Sequence, residues 1–459
     1  MPAAFFISRP VPTDTAASSL PVLGLAPDVT VMPQGLRRGT TVTPAPDLMV
    51  VVALASGMLM DEANRPSHAF SAALDLLHRQ CLLAWRVDDL AVATPLIAGI
   101  GLLQFQLMPP MPPLPPTTPA STTSSRAVPL SRFALLRRSE GEWLLESGRS
   151  RWVVRLTDAG VSGLADLSGL GSRAAPFLAL LCATGMLDDR DSEPAARFWE
   201  PHDRYFASRS RIDFSMASCR RAELRPTELE PEPGMRAGPG GAQRIALPVP
   251  VGPQPDEPSL WTATETRRTV RLFADQPVSL AALGTLLWRT LRVTRHLPRD
   301  PANPRSYEQI YRPVASGGAM GGSDLWLMCM SVCGVPQGVW RYDPFAHELV
   351  AVASQPADVE RVLIRMGATP NPPPVIGLIT VRHARAAWKY SGITYALELK
   401  DIGVILHALQ LVAGAVGLGM CMWGSGPTEI ITDLLGLDPE VDAPVGEFVL
   451  GVAKPDPHE

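Results

Sequence analysis

Proline placement constrains this chain more than any other feature. Residues 109–129 read Pro-Pro-Met-Pro-Pro-Leu-Pro-Pro-Thr-Thr-Pro and then a Ser/Thr run closed by Pro129. Proline lacks the amide donor and fixes φ, so this stretch is excluded from helix interiors and central strands and is expected to be an extended, semi-rigid linker. A second Pro/Glu/Gly-rich stretch, 223–260, reads the same way. With 47 prolines among 459 residues, about twice ordinary usage, the clusters mark joints. The length also exceeds what one hydrophobic core normally serves. Five segments are therefore expected: an α/β module (1–108), a linker (109–129), a second module with its connector (130–222), a linker (223–260) and a C-terminal domain (261–459).

In the first module, an apolar run covers 48–60, and 68–87 keeps helical spacing through Phe70, Ala73, Leu74, Leu77, Cys81 and Leu82. In the second, Phe133–Arg137 and Trp143–Glu146 predict a hairpin about Ser139-Glu140-Gly141, followed by a strand at Trp152–Leu156. Pro176 to Gly185 predicts a short apolar helix stopped by glycine. Strands with small helices give the expectation of winged-helix-like α/β modules at the N-terminal side. Neither module offers a convincing catalytic group.

The net charge is −4 with scattered basic residues, which leaves no electrostatic footprint for nucleic acid. Six cysteines without a dense framework predict reduced thiols and a cytoplasmic setting. Cys329 and Cys333 read as core packing, with no second Cys/His pair to complete a metal site. No secretory signal is evident. The 22 residues from Ile402 to Trp423 carry no formal charge, but His407, Gln410 and four glycines fit a helix buried on all sides within a protein better than a membrane span.

The C-terminal 200 residues carry the chemistry. Arg267, Arg268, Thr269 and Arg271 place three guanidinium forks and a hydroxyl just before a Ser-Leu-Ala-Ala-Leu helix opening, a donor set suited to a phosphate monoester. Taken alone, an Arg-Arg pair is more often a solvated basic turn, and it is the context downstream that favours the clamp. Ser316-Gly317-Gly318 precedes a strand at 324–332, and consecutive glycines allow backbone amides to approach a flat ligand. Gly338 to Leu349 reads as strand, Asp343-Pro344 turn and strand, and Trp388-Lys389-Tyr390 follows.

In this order the tract Arg-Arg-Thr-Val-Arg, Ser-Gly-Gly-Ala, Trp340-Arg-Tyr-Asp-Pro with His347 and Leu349, and Trp-Lys-Tyr resembles the SagB-type azoline dehydrogenases of ribosomal peptide pathways. These are FMN enzymes with the nitroreductase-like α+β fold. The resemblance implies that Arg267, Arg268, Thr269 and Arg271 hold the FMN phosphate and ribityl end. It implies that Ser316, Gly317 and Gly318 arrive from the second subunit of a homodimer, and that Trp423, Gly424, Ser425 and Gly426 line the isoalloxazine. Lys389 and Tyr390 become the catalytic pair, with no metal.

The implied activity is oxidation of thiazolines or oxazolines in a precursor peptide to thiazoles or oxazoles, with dioxygen reoxidising the flavin. The N-terminal modules would bind the peptide leader or a cyclodehydratase partner, and neither a nucleic acid nor a membrane partner is expected. Aromatisation needs a base, and a lysine serves once desolvation and nearby cations bring its pKa toward neutrality. The chain departs from the family pattern at Ala315, where proline is usual, and at Gly321-Gly322, where Tyr-Pro is usual. Two alternatives stand beside this reading: an NAD(P)H-dependent nitroreductase or ene-type reductase, and a flavin-free peptide-recruiting scaffold.

Overall fold

The computed structural model describes residues 257–454 except 304, 305, 369, 370 and 391. It also describes 127–210 except 140, 151, 188–190, 192 and 193, together with 232–234, 236, 241–252, and short segments between 22 and 95. The chain divides into two compact units, Met1–Ser218 and Cys219–Glu459.

In the first unit seven strands form one antiparallel sheet, in the order Met58–Leu59, Val22–Leu25, Leu83–Val87, Ala91–Pro95, Trp152–Leu156, Glu142–Ser147, Ala134–Ser139. The predicted hairpin is present, with Ser139 paired to Glu142 and Gly141 at φ +86°. The predicted apolar helix spans Ala174–Ala183, and its Phe177, Leu180 and Leu181 pack with Leu145, Val154 and Leu156 of the sheet. The two N-terminal modules expected from sequence thus share one sheet, wider than a winged-helix wing, because strands either side of the proline tract pair with each other. Of the helical spacing read over 68–87, residues 83–87 form a strand; residues 68–82, the 48–57 part of the apolar run and the 109–126 part of the linker lie outside the described residues.

The second unit is built on an antiparallel seven-stranded sheet. Its strands are β1 (Arg244–Ala246), β4 (Ser323–Cys329), β5 (Gly338–Asp343), β6 (Glu348–Val352), β7 (Val375–Arg382), β8 (Gly419–Trp423) and β9 (Asp442–Gly451). The order is β1-β6-β5-β4-β7-β9-β8, and β2 (Arg295–Leu297) pairs with β3 (Gln309–Tyr311) separately. All eight residues of β7 are buried, as befits a central strand covered on both faces.

Helices α2 (Leu280–Thr290) and α5 (Thr394–Ala415) cover one face, where Leu283, Leu287, Ile405 and Leu409 meet Leu325, Leu327, Ile379 and Phe448. Helices α3 (Pro356–Arg365) and α6 (Thr428–Leu435) cover the other, where Val362, Ile431 and Leu434 meet Trp326, Met328 and Val449. Each buried leucine contributes roughly 1.5–3 kcal/mol. Two short helices complete the unit, α1 (Leu260–Glu265) and α4 (His383–Ala387).

Three expectations are corrected here. The stretch 223–260 is not only a linker: Arg244–Ala246 is the edge strand of this sheet, paired with Glu348–Val350, since an open edge gains by accepting another strand. The apolar run 402–423 is not one helix buried all round. Gly417 at φ +76° ends α5, residues 419–423 form a strand, and Tyr395, Leu399, Gly403, Val404 and His407 form an exposed face of α5. Cys329 is buried, and desolvation pushes its thiol up to about 12, but Cys333 is exposed and lies outside the core.

Candidate active site

Polar groups of Lys389, Tyr390 and Tyr307 converge on Gly318. Its φ of +62° lies in the left-handed region, and a Cβ there would stand 2.6 Å from Tyr390 Oη and 2.7 Å from Lys389 Nζ. The left-handed φ favours glycine, and a methyl there would displace the ends of the Lys389 and Tyr390 side chains. Lys389 follows α4 and Tyr390 is 7% exposed, so the pair is presented from the edge of the core.

Tyr307, ahead of β3, closes the group. Its hydroxyl accepts from Lys389 Nζ and donates to the Gly318 carbonyl at 3.1 Å. Lys389 Nζ also stands 4.2 Å from the Tyr307 ring centroid and 5.2 Å from that of Tyr390. Two aromatic faces and a phenol oxygen therefore hold the amine. On the far side of the loop, the Asp401 carboxylate accepts from Gly317 N at 2.8 and 3.0 Å. Burial raises the Asp401 carboxyl above its ordinary value, partly opposed by the Gly317 amide and reinforced by Glu398. Ser316 and Gly317, with Glu398 and Asp401, line a small cavity of about 30 Å³ against α5.

The arginine tract lies at the other end of α5. Arg267, Arg268, Thr269 and Arg271 are exposed. Arg267 Nη1 donates to Gln410 Oε1 at 3.3 Å, and Val270 N donates to Met420 O at 3.0 Å, which fastens the tract beside β8. Trp423, Gly424, Ser425 and Gly426 continue from that strand, with Gly424 and Ser425 exposed. Asp401 and Gln410 are separated by two and a half helical turns, about 13 Å. Within the single chain the structure thus joins Ser316–Gly318 with Lys389 and Tyr390, joins the arginine tract with the strand leading to Trp423–Gly426, and leaves the two groups apart along α5.

Residues 264–452 match the nitroreductase family. The chain carries a C-terminal nitroreductase-family domain. A Methanocaldococcus jannaschii protein named as a nitroreductase is 23% identical over 200 residues, which cover 43% of this chain and 95% of that protein. Among solved structures, one named as a nitroreductase from Ralstonia eutropha JMP134 aligns with a TM-score of 0.36 and 20% identity, over 50% of this chain and 99% of that one. A chain of the E. coli microcin synthetase McbBCD complex with truncated pro-MccB17 bound aligns at 0.33 and 20%, over 45% and 79%.

The family places this nitroreductase-like domain among flavin-dependent oxidoreductases, and the donor chemistry fits a flavin nucleotide. Three exposed guanidinium groups and a threonine hydroxyl suit its phosphate, while Gly424, exposed in the turn after β8, has open space where a side chain would stand.

Sequence reasoning missed Tyr307 and Asp401. Tyr307 lies 82 residues from the lysine it contacts, so no spacing pattern could announce it. Glu447 was also missed. It is 5% exposed, has no hydrogen-bond or ion-pair partner among the described residues, and packs where a Cβ on Gly426 would fall. Desolvation pushes its carboxyl up to about 7.

Proposed function

We propose that the C-terminal unit is an FMN-dependent azoline dehydrogenase acting on a heterocycle-containing precursor peptide, and that it works as a homodimer. The observation that carries the reading is the convergence of Lys389 Nζ, Tyr390 Oη and Tyr307 Oη on Gly318. Arg267, Arg268, Thr269 and Arg271 would hold the FMN phosphate, and Ser316–Gly318 of a second copy together with Trp423–Gly426 would flank its ring. Bound there, FMN supplies the hydride acceptor for the oxidation.

The chain's own groups do the rest. Lys389 takes the proton from the ring carbon of the azoline; Tyr307 holds the amine at that position, and Tyr390 Oη orients the ring. The Gly317–Asp401 contact keeps the glycine loop flat against α5.

A second copy of the chain is supported by apolar side chains left in the open. Trp261 and Leu260 of α1 are 76% and 75% exposed and Leu272 is 69%, while Tyr395, Leu399 and Val404 line the open face of α5. Large apolar side chains exposed in this way are a feature of association sites. A dimer through this face would bring the loop of one protomer toward the arginine tract of the other. The N-terminal unit would then present the peptide leader or dock a cyclodehydratase.

The test is mass spectrometry of a cyclised precursor incubated with the wild-type protein and with Lys389→Ala. Loss of two hydrogens per ring, dependent on Lys389, is expected; equal turnover by the variant rejects the assignment of the base. A second reading, an NAD(P)H-dependent reductase of small molecules, is favoured by the M. jannaschii relative, which is covered over 95% of its length by this domain alone. Stopped-flow reduction of the bound flavin by NADH or NADPH, faster than by any azoline peptide, would select it.

A further inference from the structure

Two buried arginines tie a segment outside the family-matched residues to the centre of the candidate site. Arg385 on α4 is 1% exposed. Its Nη1 donates to the Glu232 carbonyl, its Nε to the Met320 carbonyl, and its Nη2 to the Glu308 carbonyl at 3.0 Å. Arg382, the last residue of β7, is 5% exposed. It donates to the Pro233 carbonyl, to the Gly234 carbonyl at 2.9 Å and to the Gly321 carbonyl at 3.4 Å, and its Nε stands 3.1 Å from Asp324 Oδ2. In return the Gly234 amide donates to the Glu308 carboxylate, which also meets His296 Nε2 at 2.7 Å.

The partners of Arg385 are the walls of the site. Glu308 follows Tyr307, Met320 lies two residues after Gly318, and Arg385 itself precedes Lys389 by four. Burial brings the Arg385 guanidinium down to about 10 against the opposing charge of Glu308, whose Oε2 stands 3.3 Å from Nη1, so it stays charged at neutral pH and depends on that carboxylate together with those carbonyls. A buried charge stripped of its acceptors is costly, so the acceptors hold the site's geometry as much as they hold the arginine.

We propose that Glu232–Gly234 is a positioning strap of the active site: by satisfying Arg382 and Arg385 it sets where Tyr307, Gly318 and Lys389 stand relative to one another. This rests on the active-site reading above for its kinetic consequence only. Gly234 is the place to test it, because a Cβ there would run into the Ile310 side chain, Arg385 Nη2 at 2.7 Å and Glu308 Oε2 at 2.8 Å. The strap lies in the stretch that sequence composition marks as a joint, so the joint is also part of the catalytic scaffold.

The experiment compares the full chain with Gly234→Ala, Arg385→Lys and the control Gln243→Ala. Hydrogen exchange of the segments 307–322 and 385–390 is read by mass spectrometry, with the pH profile of Lys389 acylation by an amine-directed reagent and with kcat and KM on the cyclised precursor. For Gly234→Ala the expectation is at least threefold faster exchange confined to those two segments, a displaced acylation profile, and about tenfold lower kcat at near-normal KM. Arg385→Lys should move the same readouts in the same direction, and Gln243→Ala should move none. Unchanged exchange and acylation in both variants overturns the proposal, as does faster exchange spread equally over α3 and α6. If the wild type oxidises no azoline, the exchange and acylation results still decide the strap, and the proposed activity alone falls.

Discussion

Glu447 gives the most quantitative test, because its environment differs so sharply from water. The carboxyl is 5% exposed, lies opposite Trp423 in the β8–β9 ladder, and is pushed by desolvation from the ordinary 4.5 up to about 7. A group with a raised folded-state pKa holds its proton more tightly in the folded chain, so between those two values the native state binds more protons than the unfolded state. Stability therefore falls as pH rises from about 4.5 through about 7. At about 1.4 kcal/mol per pKa unit, the ionised carboxylate costs the folded unit about 3 kcal/mol above that window.

Glu447→Gln keeps the shape and removes the charge. Urea unfolding followed by tryptophan fluorescence should show variant and wild type close together at pH 4. At pH 8.5 the variant midpoint should be higher by about 1 M, taking about 3 kcal/mol per M for a unit of this size. Glu146 in the N-terminal unit supplies the opposite sign within the same molecule. Burial raises its carboxyl, but hydrogen bonds from Arg137 and Tyr205 and the charge of Arg209 outweigh burial and lower it, so its stabilisation is lost on acidification. An identical midpoint difference for Glu447→Gln at both pH values, or a variant less stable at pH 8.5, would refute the desolvation argument.

Gly318→Ala should cost about 1 kcal/mol of stability through its left-handed φ. It should lower turnover far more than that, at least tenfold, because the methyl displaces Lys389 Nζ and Tyr390 Oη; thermal melts and steady-state rates on one preparation check the pair. Arg267→Gln should weaken flavin binding by about tenfold, the worth of one charge-assisted hydrogen bond, measured by fluorescence titration of FMN into stripped protein. Leu399→Lys on the open face of α5 should shift the chain from dimer to monomer in light scattering and lower flavin affinity with it. A dimer of unaltered mass would dissociate α5 from the interface.

Legibility followed the range of the interactions involved. The hairpin at Ala134–Ser139 and Glu142–Ser147, the helix of Ala174–Ala183 and the Ser279-capped α2 could be read in advance, since each is set by alternation, a turn glycine or a cap within a few residues. Arginines 267, 268 and 271 stood out for the same reason, as donors gathered in a short span. The edge strand at Arg244–Ala246 was hidden inside a proline-rich stretch because only its partner at Glu348–Val350 makes it a strand. The run 402–423 misled because lack of charge does not distinguish a helix from a helix followed by a strand, and Gly417 alone carried the break.

By itself, the order of residues determined which tract offers anion donors and which Lys-Tyr pair follows the buried β7. Those are properties of composition and near neighbours, and they survive any arrangement of the rest. Tertiary structure decided that Tyr307, Gly318 and Lys389 meet, that Glu232–Gly234 answers two buried arginines, and that Glu447 loses its water. Such facts depend on contacts between residues far apart in the chain and on desolvation, which no local pattern encodes.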